Sequence, residues 1–218
     1  METLRPVRRT LLRETAYEVI RDAIVRGEID PGASISNADL AERLGLSRAP
    51  VRDALARLAA EGLVETKPQS YTRVTPVVLR DVRDAAEVVR AMHELAARTG
   101  VALITPQDVK AMRAANRRFE AATRAGDVDA AMQADDELHG VLVKACGNHA
   151  VAATIERYTP LIRRLERRQF SRASARRSVE LHDELIDACA AGDAGRATLV
   201  TARIWHALED LAEDQTTD

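Results

Sequence analysis

Asp135 and His139 stand four apart in a stretch of helical periodicity, so their side chains share a face and converge on one point. His182 lies on a later segment and His206 on the last one. A carboxylate joined by imidazoles from facing helices is a ligand set for zinc, nickel or manganese inside a helical bundle. Asp-x-x-x-His also arises often by chance, so on spacing alone the commoner outcome is a set of surface or hydrogen-bonded core histidines. A second constellation lies upstream, in Ser47-Arg48-Ala49-Pro50-Val51-Arg52. Ser47 is placed to cap a helix, with its hydroxyl accepting from the amides of the next turn, and Pro50 falls in that first turn, where its missing N–H costs nothing. Val51, Leu55 and Leu58 recur at core spacing, while Arg48 and Arg52 share a different face. An arginine pair one turn apart near a helix N-terminus suits entry into the DNA major groove, where guanidinium forks reach guanine edges and phosphates.

The elements that position this pair are short. Ala16, Val19, Ile20, Ala23 and Ile24 follow helical spacing and Gly27 ends that helix. Asp30-Pro31-Gly32 is a turn, and Ala33-Ser34-Ile35 has the length of one edge strand. Ser36 or Asn37 caps a helix carrying Leu40, Ala41 and Leu44 inward, and Gly45 stops it just before Ser47. Beyond Gly62, Leu63–Thr66 and Tyr71–Val74 alternate as strands around Lys67-Pro68-Gln69-Ser70, a hairpin. The order predicts a winged helix-turn-helix over residues 1–76, with Lys67, Gln69 and Arg73 on the wing as phosphate contacts. Pro76 marks the boundary.

From Leu79 onward only helical spacing occurs, broken at Ile104-Thr105-Pro106, Gly126-Asp127, Gly147-Asn148, Ser171 to Ser174 and Gly192-Asp193. Thr105 with Asp108, and Asp127 and Asp193 after their glycines, supply helix starts. Residues 77–218 therefore read as an all-helical bundle of six to seven helices, and the fold class as mostly α. An aromatic content of 3% among 46% apolar residues agrees with helices rather than a β-sandwich. No stretch approaches the roughly twenty apolar residues of a membrane span, so a cytoplasmic protein without a membrane partner is expected. Cys146 and Cys189 lack any paired spacing. Residues 1–80 carry 13 Lys and Arg against 11 Asp and Glu, a weak positive bias that permits nucleic-acid binding without demanding it. The most basic run, Arg163-Arg164-Leu165-Glu166-Arg167-Arg168, interleaves no aromatic platform except Phe170 and reads as a solvated helix face, with Leu161, Ile162 and Leu165 turned inward.

The ordered series Tyr17, Ile20, Ile24, Gly27, Pro31-Gly32, Leu40-Ala41, Leu44 to Arg48, Pro50-Val51-Arg52, Ala54-Leu55, Leu58 and Glu61 to Val64 resembles the GntR family of bacterial transcription regulators. The resemblance implies operator contacts by Ser47, Arg48 and Arg52 and a wing near the minor groove. This chain has Ala38 and Tyr71 where many relatives carry an arginine and a wing glycine. The second half, through Glu87, Arg90, Glu94, Asp135, His139, Gly147-Asn148, His182, Ile186 and Gly192-Asp193, resembles the FCD effector domain of the FadR-like branch. That likeness implies a divalent metal held by one Asp and three His, with an organic acid completing the coordination. Asp135, His139 and His182 match by position. The third histidine position falls on Ile204, and His206 is about 200° further round the helix, so the remaining ligand is His206, His93, water or nothing. Arg90 pairs with Glu94 or with a bound carboxylate, and His93, one turn from Arg90, joins it as an effector contact.

Together these imply a homodimeric regulator, expected to be a repressor. Its two winged domains read half-sites of a pseudopalindromic double-stranded operator under control of a small organic acid. The alternative is a metal-dependent hydrolytic enzyme built on the Asp/His cluster, but no general base or nucleophile motif accompanies those residues.

Overall fold

The computed structural model describes residues 9–67, 70–170 and 172–213, with side chains over 12–67, 70–168, 170 and 175–206. It divides between Val77 and Val78 into two compact units. Among the described residues, no helix is long and apolar enough to cross a membrane.

The first unit runs α1 (Arg9–Arg26), α2 (Asn37–Leu44), α3 (Arg48–Ala60), β1 (Val64–Lys67) and β2 (Tyr71–Val74). Ala16, Tyr17, Ile20 and Ile24 bury one face of α1. Val19 is 45% exposed, against the expectation from spacing, because Tyr17 occupies the inward phase instead. Tyr17 donates from its hydroxyl to Glu61 at 2.8 Å, and Arg57 lies 3.6 Å above its ring while bonding Glu61 and Glu14. Burial, reinforced by Glu61, pushes the Tyr17 hydroxyl up to about 12, so it stays a donor that ties α1 to the end of α3. Ser36 caps α2 by accepting from the Asp39 amide at 3.2 Å, and Gly45 ends it in the left-handed region at φ 64°. Strands β1 and β2 pair antiparallel with Val64 opposite Val74, both buried. The expected edge strand contracts to a bridge at Ser34, flanked by bonds from Ile35 to Thr72 and from Val74 to Ala33.

The second unit is α4 (Leu79–Gly100), one 3₁₀ turn (Val101–Leu103), α5 (Pro106–Ala125), α6 (Val128–Cys146), α7 (His149–Gln169), α8 (Arg172–Ala190) and α9 (Ala194–Glu213). Four of the breaks carry a cap. Thr105 and Asp108 form a reciprocal capping box, and Asp127, Asn148 and Asp193 accept from first-turn amides. Helix α4 buries Val82, Ala85, Ala86, Val89, His93, Ala96, Ala97 and Gly100, a stripe wide enough to pack on α6, α7 and α9. Alanines at these contacts let helices approach closely, and Gly100 closest of all. A Cβ there would stand 2.9 Å from the Leu142 carbonyl oxygen and 3.0 Å from the Cys146 amide nitrogen.

Candidate nucleic-acid face and candidate metal centre

Helix α3 turns Val51, Ala54, Leu55 and Leu58 into the core of its unit. Its opposite side, with Ser47, Arg48 and Arg52, is exposed. Ser47 holds the extended backbone of a cap residue, but its hydroxyl bonds none of the helix amides, contrary to expectation. Pro50 has already removed one of the amides such a hydroxyl would serve. Arg52 makes only a loose contact with Asp53 at 3.5 Å, with its side chain 73% exposed. On the wing, Lys67 is exposed, whereas Arg73 is drawn to Glu65 and lies 4.6 Å over the Tyr71 ring. Gln69 lies outside the described residues.

The second constellation is buried. Asp135 and His139 on α6 meet His182 on α8, with ligand atoms all within 4.8 Å of one another. His139 Nε2 is 3.7 Å and His182 Nε2 3.2 Å from Asp135 Oδ1. His182 is fully buried, and its Nδ1 sits 3.1 Å from Asn116 Oδ1. The Asn116 amide nitrogen already donates to the Val179 carbonyl and to Asp183, so its oxygen faces the ring and Nδ1 carries the hydrogen. Nε2 is then the ring atom turned toward the carboxylate, 3.2 Å from Asp135 Oδ1 and buried without a hydrogen-bond partner. A buried ring nitrogen that close to a carboxylate oxygen is satisfied by a cation between them, a proton or a metal ion. Burial, then the neighbouring His182 and Arg163, drives His139 down to about 4 despite the attraction of Asp135. His139 is therefore neutral at pH 7 and free to offer a nitrogen lone pair.

Arg163 on α7 supplies the counter-charge, 2.5 Å from both Asp135 Oδ2 and Asp136 and 2.7 Å from Glu166. Burial alone would raise Asp135; the charge of the Arg163 guanidinium beside it holds it well below the usual carboxylate range. The expectation that the basic run is a solvated face is thus overturned, since Arg163 is 11% and Arg164 4% exposed. Their phase puts them against α6 and the bundle interior, and Glu166, three residues on, was the sequence signal for a paired guanidinium. Asn116 was similarly visible as a polar residue in the apolar stripe Met112, Ala115, Phe119. Arg90 is paired with Glu94 at 3.2 Å, as one of its two expected readings holds.

His206 does not reach the cluster. Helix α9 turns Ala197, Val200, Thr201, Ile204 and Trp205 inward, which leaves His206, a further 100° round, exposed. Trp205 instead stacks on His93 at 4.7 Å between centroids, and His93 meets the His139 ring at 5.6 Å. The buried donors of α6 and α8 fit a divalent cation: one carboxylate, two imidazoles, and a hydrogen-bond partner that orients one of them.

The family model for bacterial regulatory proteins of the gntR family matches residues 12–74, and the FCD domain model matches residues 84–207. The chain is a GntR-family regulator. An uncharacterized HTH-type transcriptional regulator of Agrobacterium vitis, from the TAR-I ttuE-ttuC' intergenic region, is 32% identical over 134 residues, 60% of this chain and 78% of its own length. The HTH-type transcriptional repressor RspR of Escherichia coli K12 is 25% identical over 163 residues, 75% of this chain and 72% of that protein. Among solved structures, E. coli McbR/YncC superposes with a TM-score of 0.83 at 20% identity, covering 94% of this chain and 99% of that one, a likeness of fold. For this GntR-family chain the hydrolytic alternative gains no support, because the matched models and relatives describe transcription regulators.

Proposed function

We propose that this GntR-family regulator is a homodimeric, cytoplasmic repressor. Its α3 helices read half-sites of a pseudopalindromic operator, and its helical unit, residues 77–218, senses a small organic acid. Arg48 and Arg52 reach bases and flanking phosphates from the exposed side of α3, and the Ser47 hydroxyl, unused as a cap, accepts or donates at the DNA backbone. Lys67, Gln69 and Arg73 follow the phosphates from the wing. The observation that carries the sensing role is the buried Asp135–His139–His182 group with its unpartnered His182 Nε2. Zinc, nickel or manganese held there would supply a positive centre for an acid's carboxylate. Arg90 contacts the acid on the α4 side, exchanging Glu94 for the ligand. An acid that binds one arrangement of the dimer more tightly than the other shifts the population by that difference alone.

The experiment is fluorescence anisotropy of the full chain on a duplex selected from a random pool, at one fixed salt concentration. The wild type is expected to bind tightly and Arg48→Ala to lose about 1–3 kcal/mol with relaxed base preference. Adding zinc and a panel of small carboxylic acids is expected to release the DNA for at least one acid. Selection of no sequence, or unchanged affinity in Arg48→Ala, refutes the docking model; no response to any acid with metal bound refutes the sensing model.

A further inference from the structure

The geometry points to His93, on the first helix of the bundle, as the third imidazole of the metal centre, in the place that no α9 histidine fills. The inference rests on the metal-binding reading of Asp135, His139 and His182. Its ground is the row of three buried rings. His182 meets His139 at 5.1 Å between centroids and His93 meets His139 from the other side at 5.6 Å, both edge to face. His93 is 6% exposed, and among the described residues neither of its ring nitrogens takes part in a hydrogen bond. Coordination would give a nitrogen of this ring a partner inside the bundle.

Neighbouring elements fix where the ring can go. Trp205 stacks on one face of His93 with the planes 21° apart, which leaves the ring edge as the side turned to His139. Phe119 packs edge to face on His182 at the far end of the row, so an apolar wall closes each end. The exposed His206 offers no such setting. The ligand atoms within 4.8 Å of one another belong to Asp135, His139 and His182, so engagement of His93 requires its ring to tip toward Asp135 while α4 stays in place. One carboxylate and three imidazoles favour a nitrogen-preferring cation such as zinc or nickel over magnesium or calcium. The centre then spans α4, α6 and α8.

Trp205 is the single tryptophan of the chain and touches His93, so its emission reports this ligand directly. Full-length apo-protein is titrated with zinc, and affinity is measured by competition with a chelator alongside Trp205 emission. Wild type and His206→Gln are expected to bind one zinc per chain with equal affinity and a change in emission. His93→Gln and His93→Leu, both checked for native helix content by circular dichroism, are expected to bind at least about tenfold more weakly, with the emission change lost. Wild-type affinity and emission change in either folded His93 variant overturns the assignment and leaves the three-residue site standing. Absence of zinc and nickel binding in the wild type overturns the metal reading itself, and this inference with it.

Discussion

Replacing Arg163 with Met removes a charge from the bundle while keeping most of the side-chain volume. The guanidinium serves Asp135 and Glu166, whose side chains are 15% and 13% exposed, and the more open Asp136. Removing one partner of a buried ion pair costs about 3–5 kcal/mol, because the charge left behind has neither solvent nor counter-ion. For a chain of this size that corresponds to a fall in melting temperature of about 6–20 °C. Thermal unfolding followed by Trp205 emission, with a chelator present, reads the helical unit alone. The difference also has a pH signature. In the wild type the depressed Asp135 contributes stability above its unfolded pKa that is lost only as pH falls through its still lower folded value. In Arg163→Met, burial dominates and raises both carboxylates, so they take up protons as pH falls and the deficit narrows from pH 7.5 toward pH 5. A deficit below about 1 kcal/mol at pH 7.5, or one independent of pH, refutes the assignment of Arg163 as the buried counter-charge.

Two further outcomes follow from the same bundle. Burial, then the neighbouring charges, depresses His93 to about 3 and His139 to about 4 from an ordinary 6.5, so the unfolded chain binds protons the folded one refuses. Urea midpoints of the apo-protein are expected to fall as pH drops from about 6.5 toward 4, and a midpoint that holds or rises contradicts the burial of neutral rings. Gly100→Ala sets a helix-propensity gain of about 0.5–1 kcal/mol against a Cβ clash with rigid backbone, which costs about 1–3 kcal/mol. The expected net loss is about 1 kcal/mol, and a raised melting temperature would show that α4 and α6 can separate there.

The helices were legible because their ends are chemical. Thr105 with Asp108, Asp127 and Asp193 cap where they were read to cap, Asn148 caps at a break that was read without one, and seven glycines, Gly45, Gly126 and Gly192 among them, take the positive φ that ends a helix or a turn. Asp135, His139 and His182 were legible because helical spacing and family likeness agree on them. Arg163, Trp205 and the inward turn of Tyr17 were not, since each depends on which side of a helix is covered by a neighbour remote in sequence. Helix α7 is covered on two sides, so a run of arginines that would be solvated on an outer helix is buried here. Ser47 illustrates the converse: the cap position was right, yet the hydroxyl stays out of the cap and exposed.

The Asn116 amide, held by Val179 and Asp183, settles which nitrogen of His182 faces the carboxylate before any ligand arrives. Asn116 is on α5, and its anchors flank the ring on the ring's own helix, α8. A cation drawn to that nitrogen therefore pulls on a helix pair already locked together. The free energy released on loading adds to the folding free energy of the whole bundle rather than to one loop. On the proposed metal-binding reading, a cell starved of the ion would hold a chain that is both less responsive and more exposed to proteases. Scarcity of one ion would then lower the number of regulator molecules as well as the sensitivity of each.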